Sequence, residues 1–134
     1  MIKKPKGSNT KAIKKDLDKL WSKITHEQYD HTCSVCGLRY GLGAHHFFGK
    51  KAYPAVKWDI DNGVLLCVGC HIMKVHRKGQ TEIARDALIG RIGQDQFDEL
   101  KKRANQVNRY RMADLIALKV ELTQILESFS RGTA

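Results

Sequence analysis

The sequence predicts an α+β fold in which a short, loop-rich strand region lies between helices. Apolar residues recur at helical spacing in residues 1–28, which predicts a basic amino-terminal helix. Residues 29–80 are rich in glycine, aromatic and β-branched residues and contain two Cys-x-x-Cys pairs, which predicts a small metal-braced core. Residues 81–134 return to helical spacing without a proline. With 134 residues, we expect a single domain, because this length supports one core and not two.

The charge is strongly positive and unevenly distributed. Lysine and arginine number 24 against 14 acids, and the formal net charge is +10. The first 24 residues carry eight basic and two acidic side chains, whereas the last third is nearly balanced. Hydrophobic residues at 42% and charged residues at 28% are ordinary for a globular chain. The basic start is therefore a candidate element for phosphate contact, although a membrane surface or simple solubility would also suit this charge.

Membrane insertion and export are not expected. The longest apolar runs, such as residues 63–68, are much shorter than a bilayer span. The amino terminus is rich in lysine and has no apolar stretch of the kind found in secretory signals. We therefore expect a cytoplasmic protein, in which cysteines stay reduced and bind a metal more readily than they form disulfides.

Apolar spacing predicts five helices around a region of short strands and long loops. The first, over residues 9–24, places its apolar residues at intervals of three and four with lysines on the other face. A short helix is expected from residue 71 to 78, with Gly79 at its end. The other three are expected over residues 81–92, 94–106 and 112–129.

The last predicted helix has more apolar positions than one buried face requires. They are Leu115, Ile116, Leu118, Val120, Leu122, Ile125, Leu126 and Phe129. Two interpretations fit this excess equally well: the helix packs against a second copy of the chain in a homodimer, or its own neighbours surround it.

Four cysteines predict a structural zinc site. Cys33 and Cys36 form one pair, Cys67 and Cys70 the other, and together they supply the four thiolates of a tetrahedral site. The 30 residues between the two pairs are more than a zinc finger usually has between its ligand pairs. The zinc would therefore hold together the two ends of a long intervening segment. Buried unligated thiols are the plainer alternative. Cys67 to His71 also matches the haem-attachment pattern, which we disfavour because no export signal is present.

Between and beside the cysteine pairs lies a constellation of polar residues at characteristic spacing. His45 and His46 are adjacent, Asn62 follows His46 by sixteen residues, and His71 follows Asn62 by nine. Neighbouring residues of a strand point to opposite sides, so the two adjacent histidines should have separate tasks. A turn tripeptide is the plainer interpretation of Asn62 within Asp-Asn-Gly.

This constellation, with its four cysteines, resembles the HNH (ββα-metal) endonucleases. Within that family it resembles the treble-clef-like subgroup whose core is stabilised by a zinc ion on four cysteines. The resemblance covers about residues 31–78 and is strongest to phage-borne NinG/Rap recombination nucleases. Endonuclease VII, a junction resolvase, is more distantly similar.

The resemblance implies a metal-dependent DNA endonuclease, acting on junction or branched DNA in phage recombination inside the bacterial host cytosol. It implies that His46 is the general base, and that His45 and His71 bind a catalytic Mg²⁺, Mn²⁺ or similar divalent ion. It further implies that the side chain of Asn62 holds the loop that orients His46. A neutral imidazole suits both tasks at cellular pH.

Further histidines and lysines are weaker candidates. Some members of the family carry a third metal-binding histidine where this chain has Val75, and His76 is the nearest substitute. Lys74 lies three residues after His71 and is a candidate phosphate contact. His26 and His31 are interpreted as ordinary surface or core residues.

The loop between His46 and Asn62 mixes cations with aromatic rings. Lys50, Lys51 and Lys57 are candidate DNA-phosphate contacts. Four aromatic residues accompany them, and we expect them in the core more readily than stacked on bases: Phe47, Phe48, Tyr53 and Trp58.

Two non-catalytic functions are alternatives to a nuclease. One is a zinc-dependent DNA-binding module that has no nuclease activity. The other is a zinc-braced protein-interaction module, which would need neither the adjacent histidines nor the positive charge.

Overall fold

A computed structural model describes residues 8–72 and 81–132 of the chain. It contains four long helices and one antiparallel two-stranded sheet. In chain order they are α1 (Ser8–Gln28), β1 (Leu42–His46), β2 (Gly63–Cys67), α2 (Thr81–Ile92), α3 (Gln94–Ala104) and α4 (Met112–Ser130). Two short 3₁₀ turns, Pro54–Val56 and Ile60–Asn62, interrupt the loop between the strands. The α+β mixture expected from the sequence is confirmed.

Helix α1 packs against α4 and the loop through its apolar stripe. Leu17, Trp21 and Ile24 are almost fully buried and share a cluster with Trp58 and Leu115. The helix runs four residues beyond the predicted end at residue 24, because its last turn still packs on the sheet. Shortly after its end, Asp30 and His31 adopt the left-handed region, with φ of 52° and 51°.

The two strands pair so that the predicted site residues lie at defined positions. His46 is opposite Gly63, His45 is opposite Val64, and the far end pairs Leu42 with Cys67. Every residue of β2 is buried. The continuous apolar sequence of β2 fits a strand covered on both faces, here by α1 and α2.

Directly after β2 the chain becomes helical over residues 68–72, three residues before the predicted start at residue 71, and residues 73–78 of that predicted helix lie outside the described part of the chain. Helix α2 packs on β2, and α3 packs on α2 and on the two 3₁₀ turns between the strands. Leu88, Phe97 and Leu100 join three of the four cysteines and Val64 in a second buried cluster. Helix α3 ends two residues earlier than expected, and α4 ends one residue later.

Helix α4 is apolar on more than one side. Leu115 and Leu122 are buried against α1, whereas Ile116 and Val120 are 51% and 53% exposed. Contacts within the chain therefore account for one face, and the homodimer remains a prediction for the other. None of the helices among residues 8–72 and 81–132 is long and apolar enough to cross a membrane.

The absence of a side chain at Gly63 allows α1 to approach β2 closely. A Cβ atom added to Gly63 would lie 2.5 Å from Thr25 Oγ1 and 3.2 Å from Trp21 Cζ2, and Thr25 is fully buried. We expect Gly63→Ala to lower the free energy of unfolding by about 1–3 kcal/mol, measured by urea denaturation. Gly90→Ala, with no neighbour within 4 Å, is the control and should be neutral or stabilising. Equal stability of the two variants would contradict this packing.

Candidate functional site

The four cysteines converge at the end of the sheet opposite Asn62. Their sulfur atoms all lie within 4.8 Å of one another, and Cys36 Sγ is 3.6 Å from Cys67 Sγ. A tetrahedral zinc with Zn–S bonds of about 2.3 Å requires sulfurs about 3.8 Å apart. Within the described parts of the chain, they are the one group of three or more metal-binding side chains that converges. Their number, chemistry and spacing fit a structural zinc ion.

Hydrogen bonds from backbone N–H groups stabilise both cysteine turns independently of a metal ion. Cys33 N donates to Leu38 O at 2.8 Å, and Gly37, at φ 82°, donates its N–H to Cys33 O. In the second turn Cys70 N donates to Cys67 Sγ at 3.4 Å. Ser34 ties the first turn to β2, since both its N–H and its hydroxyl donate to Leu65 O.

The thiols interact strongly with each other. Burial opposes ionisation of Cys33, but hydrogen bonds from Cys36 and from the backbone of Cys67 and Val35 outweigh it and lower the pKa of Cys33 to about 6. Burial and the neighbouring sulfurs raise the pKa of Cys70. One thiolate thus forms readily and makes the next more costly, so four thiolates together require a cation among them.

His45 and His71 lie together on one face of the sheet. Their rings stack with centroids 3.8 Å apart and planes inclined by 19°. Helical residues 68–72 follow β2 directly and bring His71 back beside β1. A Cβ on Gly43 would lie 3.2 Å from His45 Nε2, so the glycine leaves room for this ring. Both imidazoles line a cavity of about 300 Å³.

His46 is held from the other side of the strand. Its ring stacks on Trp21 of α1 with centroids 3.9 Å apart and planes 2° from parallel. Its Nε2 lies 2.8 Å from Lys57 O, so Nε2–H donates and Nδ1 is the acceptor nitrogen. Burial lowers the pKa of His46 from its ordinary value, and the Lys57 carbonyl partly opposes this. The imidazole is therefore neutral near pH 7.

Asn62 is fully buried and its side chain joins two parts of the loop. Oδ1 accepts from Phe48 N at 2.8 Å, while Nδ2 donates to Phe48 O and Val56 O at 3.0 and 3.1 Å. Its backbone O accepts from Phe47 N at 2.9 Å. Val56 precedes Lys57, whose carbonyl binds His46, so the amide supports the partner of the histidine ring.

Two arginines that the sequence did not single out hold the same turn. Arg91 Nη2 lies 3.2–3.3 Å from the carbonyls of Ile60, Asp61 and Gly63. Arg103 pairs with Asp59 at 2.7 Å and with Asp61 at 3.2 Å, and the Asp59 hydrogen bond raises the pKa of Arg103. These contacts join residues 28–44 positions apart, so no local pattern could have indicated them.

The lysines and aromatic residues of the loop separate into surface and core. Lys50 and Lys51 are exposed, and Lys57 Nζ lies 4.6 Å from the ring centre of Trp58. Trp58 is 2% exposed, and its Nε1 donates to Asp18. The other three rings are half-buried and pack on one another or on Phe97, namely Phe47, Phe48 and Tyr53.

Three further predicted candidates lie outside the described residues: Lys74, Val75 as the alternative ligand position, and His76. Lys3, Lys4 and Lys6 of the predicted basic amino-terminal segment also lie outside the described residues. His31 is exposed, with Nε2 lying 3.1 Å from Glu27, which agrees with its interpretation as a surface residue.

Zinc removal tests the cysteine centre. We expect one zinc per chain, and unfolding of the sheet when a chelator removes it, because structural zinc contributes about 10–16 kcal/mol in small modules. Zinc content by mass spectrometry and near-ultraviolet circular dichroism measure this. Cys67→Ser should behave like the chelated protein, and Ser34→Ala should keep its zinc. A Cys67→Ser protein that folds normally without zinc would contradict the assignment.

Substitution of the buried amide tests how much the loop depends on it. Asn62→Ala leaves Phe48 N, Phe48 O and Val56 O without their side-chain partner, and we expect a loss of at least about 2 kcal/mol in unfolding free energy. Asn105→Ala removes an exposed amide that bonds Lys101 O, and it should cost much less. Denaturant titration compares the two, and equal losses would refute the special role of Asn62.

Comparison with known families places the chain. Residues 1–131 match the profile of the family described as Bacteriophage Lambda NinG protein. Comparisons with curated proteins and with solved structures returned no match. Because the family match spans nearly the whole length, the chain belongs to the bacteriophage lambda NinG protein family.

Proposed function

We propose that this protein is a metal-dependent DNA endonuclease of the HNH class, built on a zinc-braced ββα-metal core and acting on phosphodiester bonds in phage recombination. The observation that carries the proposal is the contact of His45 with His71 beside a separately held, neutral His46. Strands β1 and β2 and helical residues 68–72 have the order that a ββα unit requires.

The catalytic ion would be held by His45 and His71. Their imidazoles stack at the wall of the 300 Å³ cavity, and imidazole nitrogen is a common ligand for transition ions, whereas Mg²⁺ prefers oxygen. When bound, a divalent ion there supplies charge stabilisation to the scissile phosphate and to the departing 3′ oxygen. The nitrogen donors favour tests with Mn²⁺, Ni²⁺ and Zn²⁺ beside Mg²⁺.

His46 would act as the general base through Nδ1. Its Nε2–H is engaged by Lys57 O, so Nδ1 carries the free lone pair and can take a proton from water. The hydroxide formed attacks phosphorus and the bond to the 3′ oxygen breaks. That oxygen takes a proton from solvent water and His46 returns its proton to solvent, so the products carry a 5′-phosphate and a 3′-hydroxyl. Because burial keeps the imidazole neutral at pH 7, no prior deprotonation of the enzyme is needed.

The Asn62 side chain and the Lys57 carbonyl would position the base, and the Lys57 ammonium group stays a candidate phosphate contact. The Asn62 amide holds Val56 O, the next carbonyl is that of Lys57, and this carbonyl fixes the His46 ring. Trp21 covers one face of that ring. Such support keeps the acceptor nitrogen in one orientation, which is what general-base catalysis requires.

DNA is the proposed partner because of charge. The chain carries a net charge of +10, and Lys50 and Lys51 are exposed on the loop that follows His46. Phosphate contacts of this kind give affinity that falls steeply with salt and carries little sequence preference. Binding to DNA in the cytosol of an infected host, as a monomer or as a dimer through α4, is part of the proposal.

Incubation with supercoiled plasmid distinguishes a nuclease from the two non-catalytic alternatives. Nicking in the presence of a divalent ion supports hydrolysis. Retardation without nicking would instead indicate a non-catalytic zinc-dependent DNA-binding module, and absence of both would indicate a protein-interaction module.

Replacement of His46 tests the mechanism. His46→Gln can still donate to Lys57 O but cannot act as a base, so we expect plasmid nicking to fall about 10²–10⁴-fold while zinc content and DNA binding persist. His31→Gln, an exposed histidine away from the cavity, is the control and should keep full activity. Unchanged nicking by His46→Gln would refute its role as base.

A further inference from the structure

A second cavity adjoins the histidine site. It has a volume of about 350 Å³, within the roughly 300–1,000 Å³ of small-ligand sites, and opens between the end of β1 and helices α2 and α3. Phe47, Phe48 and Phe97 form its apolar wall, and Arg85 and Lys101 lie at its polar side. No residue of this cavity belongs to the proposed metal or base positions.

The two cavities are adjacent. Phe47 lines both of them, and it directly follows His46, the last residue of β1 and a lining residue of the histidine cavity. Helix α2 forms the opposite wall, with Ala84 in the histidine cavity and the next residue, Arg85, in the second. A nucleotide next to a phosphate held at His45 and His71 would lie beside Phe47, at the second cavity.

The chemistry of the second cavity suits a nucleotide. The half-buried rings of Phe47 and Phe48 offer an aromatic surface for a base. Arg85 and Lys101 are exposed, and neither forms an ion pair within residues 8–72 and 81–132. Asp98 is the one acid of the lining, and its Oδ1 accepts a hydrogen bond from Gln94 at 2.9 Å.

We infer that this cavity is a subsite for an unpaired nucleotide next to the phosphodiester that is cleaved. The base would lie on Phe47 and Phe48, and its phosphates on Arg85 and Lys101. A base within a continuous duplex is stacked on both sides and cannot enter such a pocket without leaving the stack. The inference rests on the proposed nuclease function and adds to it the residues that would bind an unpaired nucleotide beside the cleaved position.

Affinity for two DNAs tests the aromatic wall. Zinc-loaded full-length protein, without added Mg²⁺ or Mn²⁺, is titrated into a fluorescein-labelled duplex with a single-stranded branch and into a fully paired duplex of equal length. Phe48→Leu keeps an apolar side chain of similar size but removes the ring. We expect it to weaken branched-DNA binding about 5- to 100-fold and paired-duplex binding by less than about twofold.

Tyr53→Leu is the matched control. Its ring packs on Phe48 at 5.2 Å but does not line the cavity, so its loss should leave the preference for branched DNA unchanged. Circular dichroism verifies that both variants fold.

The cationic side is tested by salt dependence. Lys101→Gln, on the exposed surface of α3, should reduce the slope of log affinity against log salt by about 1 on the branched DNA. Lys102→Gln changes the same charge at the neighbouring position, outside the cavity, and should leave the slope unchanged.

Each outcome decides one proposal. Equal losses on the two DNAs, or no loss with Phe48→Leu and Lys101→Gln, would overturn the subsite even if the protein nicks plasmid. Selective loss on branched DNA supports the subsite, and a folded protein that shows it without any nicking would overturn the nuclease instead.

Discussion

The turn of residues 59–63, which contains the buried Asn62, is the constraint on which the rest of the molecule depends. Asn62 has no exposed surface, so its amide must find partners inside the protein or destabilise it. It finds them in the loop backbone. The same turn accepts the Trp21 indole N–H at Asp59 O and the guanidinium groups of Arg91 and Arg103. Helices α1, α2 and α3 therefore all meet at one short segment.

This convergence explains why the sheet can be so small. Two strands of five residues would be marginal alone. Here the cysteine group fixes the end where Leu42 pairs with Cys67, and the Asn62 turn fixes the end where His46 pairs with Gly63. His45 and His46 lie near the second end, between two fixed points. The helices outside the core motif thus act as supports for the position of the histidines.

Part of this arrangement could be predicted from sequence because it depends on local chemistry. Metal ligands need particular side chains at particular spacing, so Cys33, Cys36, Cys67 and Cys70 were evident, and apolar spacing predicted the ends of α1 to α4 to within four residues. Trp21, Arg91 and Arg103 were not evident, since each resembles an ordinary helical residue. Their partners lie between 28 and 44 residues away, and only tertiary packing brings them together.

In the proposed mechanism, the two faces of the sheet divide metal binding from positioning of the base. His45 stacks on His71, while His46, which lines the same cavity, is covered on one ring face by Trp21 and hydrogen-bonded to Lys57 O. Burial lowers the pKa of His46, which makes it a weaker base than a free imidazole but leaves it unprotonated at pH 7. With one ring face covered and one nitrogen engaged, the ring cannot rotate freely, and Nδ1 keeps one direction. Orientation of the lone pair, more than basicity, is therefore what this arrangement of α1, loop and strand provides.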